Sequence, residues 1–124
     1  MVNQVLVDTS VWVSHLRYGN ERLKQLLLNE RIVCHPFVIA ELACGTMKNR
    51  GEILSLLQAL PCAEVASQDE VLYFIESRYL MGQGLGLADI YLLSSAVLSG
   101  IKLWTIDKSL AKAASRLGIA MPGK

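Results

Sequence analysis

Val5-Leu6-Val7-Asp8-Thr9-Ser10 joins three apolar residues to a carboxylate and two hydroxyls. Two of the three are β-branched, and the run is too short and too abruptly ended for a helix, so it is expected to be a buried strand. Thr9 and Ser10 are good helix N-cap residues, and Val11-Trp12-Val13 with Leu16 opens a helix packed on that strand. Asp8 therefore stands where a strand ends and a helix begins. In an open parallel sheet that edge is the crevice where ligands bind.

Outward from this unit, the same alternation repeats. Helices are expected over residues 21–29, from Pro36 to about 47, through Ile53 to Leu60, from 68 to about 81, over 87–99 and over 108–117. Strands are expected at 32–34, 63–66 and 102–106. Pro36 suits a first helical turn, and Ser67-x-x-Glu70 is a capping box. Gly82, Gly84 and Gly86 follow a helix rather than a strand and lack a Gly-Lys-Ser/Thr ending, so they form a loop and not a phosphate cradle. Alternating strands and helices predict an α/β protein, a parallel sheet covered on both faces.

At 124 residues with 52% hydrophobic and 19% charged residues, the chain can bury a core, and disorder is excluded. No apolar run reaches the length of a membrane span, because Asp89, Lys102 and Asp107 interrupt the greasiest region. The N-terminus enters a strand directly, without the parts of a secretion signal. Cys34, Cys44 and Cys62 are odd in number and form no Cys-x-x-Cys pair, which predicts reduced, buried thiols in a cytoplasmic protein.

Most of the eleven acids have ordinary explanations. Glu21 and Glu52 have Lys24 and Lys48 within one helical turn, and Asp69 and Glu70 lie in a first turn that favours them. Four others lack such explanations. Asp8 follows Val5-Leu6-Val7, and Asp107 follows Trp104-Thr105-Ile106. Glu41 has Phe37, Val38, Cys44 and Gly45 at helical offsets, while Asp89 has Leu85, Gly86, Leu92 and Leu93. A carboxylate on an apolar face is costly to ionise without compensation. Adjacent strand ends would bring Asp8 and Asp107 side by side, with Asp89 facing the same edge. Four such carboxylates repel, and a divalent cation removes the conflict. All-oxygen ligation points to Mg²⁺ or Mn²⁺, with no His or Cys pattern competing. Setting the four aside leaves 12 basic residues against seven acidic ones, a surface suited to a polyanion. Arg17, Lys48, Arg50, Lys108, Lys112 and Arg116 are candidate phosphate contacts; His15, His35, Trp12 and Trp104 are read as structural.

Asp8-Thr9-Ser10, Pro36 to Glu41 to Gly45, Leu87-Ala88-Asp89 and Thr105-x-Asp107 together resemble the PIN domain. More narrowly, the whole chain resembles the VapC-type ribonuclease toxins of type II toxin–antitoxin pairs. The resemblance implies a single PIN domain over residues 1–124, a three-layer α/β/α sandwich around a central parallel sheet. It implies a Mg²⁺- or Mn²⁺-dependent endoribonuclease with Asp8, Glu41, Asp89 and Asp107 as catalytic metal ligands, supported by the hydroxyls of Ser10 and Thr105. It also implies an RNA substrate, a homodimer, and an antitoxin whose C-terminal tail restrains the enzyme; the unpaired carboxylates add the expectation that an Arg of that tail can enter the acid pocket. One position departs from the pattern: many relatives carry an acid three residues beyond Asp107, where this chain has Leu110.

A groove for that tail is expected between the first two helices, lined by Trp12, Leu16, Tyr18, Leu23, Leu26 and Leu27. A haloacid-dehalogenase-like phosphatase would want a second Asp where Ser10 stands, and a receiver domain would want a paired acid and a late Lys. The remaining alternative is a catalytically silent PIN-like module that only binds protein.

Overall fold

The computed structural model describes residues 3–122. Among them, β1 (Val5–Val7), β2 (Ile32–Val33) and β3 (Lys102–Trp104) form one parallel sheet in the order β2-β1-β3. Val5 pairs with Ile32 on one side and Lys102 on the other, and Val7 pairs with Trp104. The helices are α1 (Thr9–Tyr18), α2 (Glu21–Leu28), α3 (Pro36–Cys44), α4 (Arg50–Gln58), α5 (Gln68–Arg78), α6 (Leu87–Ser99) and α7 (Lys108–Arg116). Successive strand residues point to opposite faces, and Val5, Leu6 and Val7 are all buried, so helices cover the sheet on both sides. This is the expected three-layer α/β/α arrangement.

Several boundaries differ from expectation, each for a local reason. Asp8, not Thr9 or Ser10, is the N-cap of α1: its backbone is extended and its side chain accepts the Ser10 N–H. Helix α3 stops at Cys44, three residues short of the expected end. Gly45 leaves helical geometry there, and the Arg50 guanidinium takes the freed Ala43 carbonyl. Tyr79 ends α5 in the left-handed region at φ 55°, where Arg116 donates to the Arg78 and Tyr79 carbonyls. The capping box of Ser67 and Glu70 at the start of α5 is present as read.

Residues 63–66 do not form the expected strand. Cys62 makes a single parallel bridge to Cys34, and then the Glu64 N–H turns to the Ser99 hydroxyl and the chain leaves the sheet. At the opposite edge, Ala120 makes an unforeseen bridge to Leu103, held by Leu103 N–H to Ile119 and Met121 N–H to Leu103. Strand β3 ends at Trp104 because the next free N–H groups, of Ile106 and Asp107, go to the hydroxyls of Ser10 and Thr105.

All three cysteines are free, but only Cys34 is buried; Cys44 and Cys62 are exposed, against expectation. The groove expected between α1 and α2 is not formed as drawn. Leu23 is fully buried and Trp12 nearly so, both in the core, while Tyr18 is 82% exposed. The apolar hollow on this side lies instead toward α4, where Ile53, Leu56 and Leu60 face Trp12, Leu16 and Leu27 across about 310 Å³. No helix among the described residues is long and apolar enough to cross a membrane.

Candidate active site

Asp8 is 6% exposed at the C-terminal edge of the central strand. Its backbone N–H bonds to the Trp104 carbonyl at 2.9 Å, which extends the β1–β3 pairing by one residue and sets Asp8 beside Thr105. One carboxylate oxygen, Oδ2, accepts three hydrogen bonds: Ser10 Oγ at 2.6 Å, Thr105 Oγ1 at 2.7 Å and the Ser10 N–H at 3.3 Å. Each hydroxyl in turn accepts a backbone N–H, Ser10 from Ile106 at 3.2 Å and Thr105 from Asp107 at 3.0 Å. The two side chains thus pin the end of β3 to the start of α1 and hold Asp8 in one orientation.

The other three acids are held in the same way, by one oxygen each. Thr9 Oγ1 donates to Glu41 Oε1 at 2.6 Å, joining α1 to α3. The Gly86 N–H donates to Asp89 Oδ2 at 3.0 Å, at the start of α6. The Leu110 N–H donates to Asp107 Oδ1 at 3.0 Å, making Asp107 the N-cap of α7. Among the described residues, no hydrogen bond engages the second oxygen of any of the four.

These carboxylates act on one another. Asp89 is pushed above the usual carboxylate range, first by burial and then by repulsion from Asp8, Asp107 and Glu41; the Gly86 N–H opposes the shift. The charges bearing on Asp89 are all negative. As they stand, no three His, Cys, Asp or Glu side chains among the described residues close around one point as a ready-made cation cage. The donor chemistry still fits a hard divalent cation, since Mg²⁺ retains several waters and takes only one or two carboxylates with substrate phosphate oxygens. Each of the four carboxylates keeps an uncommitted oxygen, a donor of the type such an ion takes.

Leu110, at the position where many relatives of the family carry an acid, is fully buried and holds Asp107 through its backbone. Thr9, expected as a cap residue, instead orients Glu41, and the only sign of this in the sequence is its hydroxyl directly beside Asp8. The histidines lie apart from the acids. His35 is buried as the N-cap of α3, its Nδ1 accepting the Phe37 N–H and its Nε2–H donating to Ser95 Oγ, both at 3.0 Å. Burial lowers its pKa to about 4, so it is neutral at pH 7. His15 accepts the Asn20 N–H behind α1.

The sequence model of the PIN domain matches residues 5–116, a span that contains all four acids and their supporting hydroxyls. The chain belongs to the PIN-domain family. Within that family it is 47% identical over 118 residues to Ribonuclease VapC32 of Mycobacterium tuberculosis H37Rv, covering 94% of this chain and 95% of the relative. The VapC32 of strain CDC 1551 matches equally. This PIN domain therefore falls among the VapC ribonucleases. Two solved structures share the fold at low identity. VapBC-1 from nontypeable Haemophilus influenzae matches with a TM-score of 0.67 and 17% identity, covering 94% of both chains. PAE2754 from Pyrobaculum aerophilum matches with a TM-score of 0.69 and 20% identity, covering 98% of this chain and 90% of that one.

Proposed function

We propose that the chain, acting over residues 1–124 as a single PIN domain, is the toxin of a type II toxin–antitoxin pair and an endoribonuclease dependent on Mg²⁺ or Mn²⁺. One observation carries the chemistry: Asp89 feels the repulsion of three further carboxylates, Asp8, Asp107 and Glu41, and is pushed up by them as well as by burial. That arrangement is unfavourable for a resting fold and favourable for holding a divalent ion. The likeness to a relative named a ribonuclease supports RNA as the substrate.

In this reading Asp8, Glu41, Asp89 and Asp107 hold the metal through their uncommitted oxygens. When bound, the ion supplies charge neutralisation at the phosphate and a more acidic water. The protein's own part is orientation. Ser10 and Thr105 fix Asp8, Thr9 fixes Glu41, and the backbone N–H groups of Gly86 and Leu110 fix Asp89 and Asp107. Neutral His35 takes no part in the proton transfers. An antitoxin as partner is supported by the likeness to the VapBC-1 structure, and a homodimer and a cytoplasmic location complete the proposal.

Asp89→Asn keeps shape and the Gly86 hydrogen bond while removing a ligand charge. It should lower cleavage of single-stranded RNA in Mn²⁺ by roughly a hundredfold or more, as loss of one transition-state electrostatic group does. Undiminished cleavage by Asp89→Asn would overturn the site. Calorimetry with Mn²⁺ on the native chain separates the enzyme from a silent binding module, which should take up no metal.

A further inference from the structure

A groove of about 400 Å³ leads away from the acid cluster, with Thr9 and Glu41 at its inner end. It runs between α1 and the connection that joins α3 to α4. Its apolar lining is Val13, Leu16, Leu42 and Met47, and the cations lining it are Arg17 and Lys48. Glu41 is the only acid lining it. The outer wall is held in place, since Arg50 in the next helix bonds back to the Ala43 carbonyl at 2.7 Å.

The six candidate phosphate contacts are not equivalent. Arg50 is committed to Ala43, and Arg116 caps the end of α5 at the Arg78 carbonyl. Arg17 and Lys48 are exposed, and among the described residues neither enters a hydrogen bond. Both line this groove together with Glu41, a member of the acid cluster.

We propose that this groove is the subsite for the RNA nucleotide next to the scissile phosphate, a reading that rests on the nuclease function above. The base and ribose lie over Val13, Leu16 and Met47, and the following phosphate sits between Arg17 and Lys48. A strand crossing four carboxylates needs compensating positive charge immediately beyond them, and this groove supplies it together with an apolar bed. The volume is within the range of small-ligand sites. A protein segment is less well matched, because two open cations at one end favour a polyanion over an apolar helix.

The test is equilibrium binding of a fluorescein-labelled single-stranded RNA of about ten nucleotides to the full chain in EDTA, across a range of salt. Both side chains are exposed, so Arg17→Ala/Lys48→Ala should fold as the native protein does. Losing two phosphate contacts should flatten the slope of log affinity against log salt by about 1.4 and weaken binding roughly tenfold or more at about 0.1 M salt. A control, Lys24→Ala/Arg78→Ala, removes two charges elsewhere and should leave the slope at the native value. An unchanged slope and affinity in Arg17→Ala/Lys48→Ala would overturn the subsite and leave the groove to a protein partner. Equal losses in both double variants would also overturn it, by showing a response to net charge alone. Cleavage of the same RNA by the native chain in Mn²⁺ is scored separately, so a failed nuclease reading and a misplaced subsite give different results.

Discussion

Asp8 divides its carboxylate between two tasks. Oδ2 accepts two hydroxyls and a backbone N–H, which fixes the start of α1 and the end of β3, and Oδ1 is the oxygen that the proposed metal would take. His35 is a buried polar residue with only the structural task. Both its nitrogens are satisfied in the neutral form, and a second proton would have to enter a fully buried site with its acceptor nitrogen already used. Its folded pKa of about 4 lies below the ordinary value of 6.5, so the unfolded chain binds the extra proton first. Stability should therefore fall as pH drops from about 6.5 toward 4, by about 3 kcal/mol from this residue, and level off below. Urea unfolding at pH 7 and pH 4 checks it against His35→Asn, which can still cap α3 but cannot charge. An equal pH loss in native and variant proteins would remove His35 as the cause.

Helix α7 shows how an element and a site share a residue. Asp107 caps the helix through Oδ1 and faces the other acids, so substituting it mixes two effects unless the cap is preserved. Asn caps about as well as Asp, whereas Ala forfeits about 1 kcal/mol. Asp107→Asn should leave the thermal midpoint near the native value while lowering RNA cleavage. Asp107→Ala should lower both, and comparing melting with cleavage in the two variants checks this. Full activity in Asp107→Asn would leave Asp107 a cap and nothing more. Helix α6 follows similar logic, with Asp89 at its third position accepting the Gly86 N–H. In each case the first helical turn is held by one of the candidate metal ligands.

Across the whole molecule, four segments far apart in the chain carry acids that act on one another, at the cost of mutual repulsion. The metal-free protein bears that repulsion in its folded state. Asp89 is raised above its ordinary range, so its ionised form disfavours the fold at neutral pH, and metal-free stability from this group grows as pH falls through that range. Mn²⁺ at a hundredfold excess over its dissociation constant should add about 2.7 kcal/mol by linkage, a rise in Tm on the order of 10 °C for a chain of this size. Asp89→Asn should be more stable than the native chain without metal and gain less with it. A melting temperature indifferent to millimolar Mn²⁺ would count against the metal site.

The strand–carboxylate–hydroxyl pattern at Asp8 and the capping box at Ser67 were legible in the chain, because each is a local pattern of polarity and spacing, whereas Glu41 and Asp107, read as acids on apolar faces, are exposed in the packed protein. The span of α6, Leu87–Ser99, was legible too, its apolar run bounded by glycines. The missing strand at 63–66 was not, because one hydroxyl from Ser99 decides where the Glu64 N–H goes. Thr9 as the partner of Glu41, and the burial of Trp12 and Leu23 that moved the apolar hollow toward α4, likewise depend on contacts between segments far apart in sequence. Local order follows from the preferences of neighbouring residues. Which oxygen meets which distant donor is set only when separate elements pack together, and at Asp8 and Glu41 that step leaves an oxygen uncommitted in each.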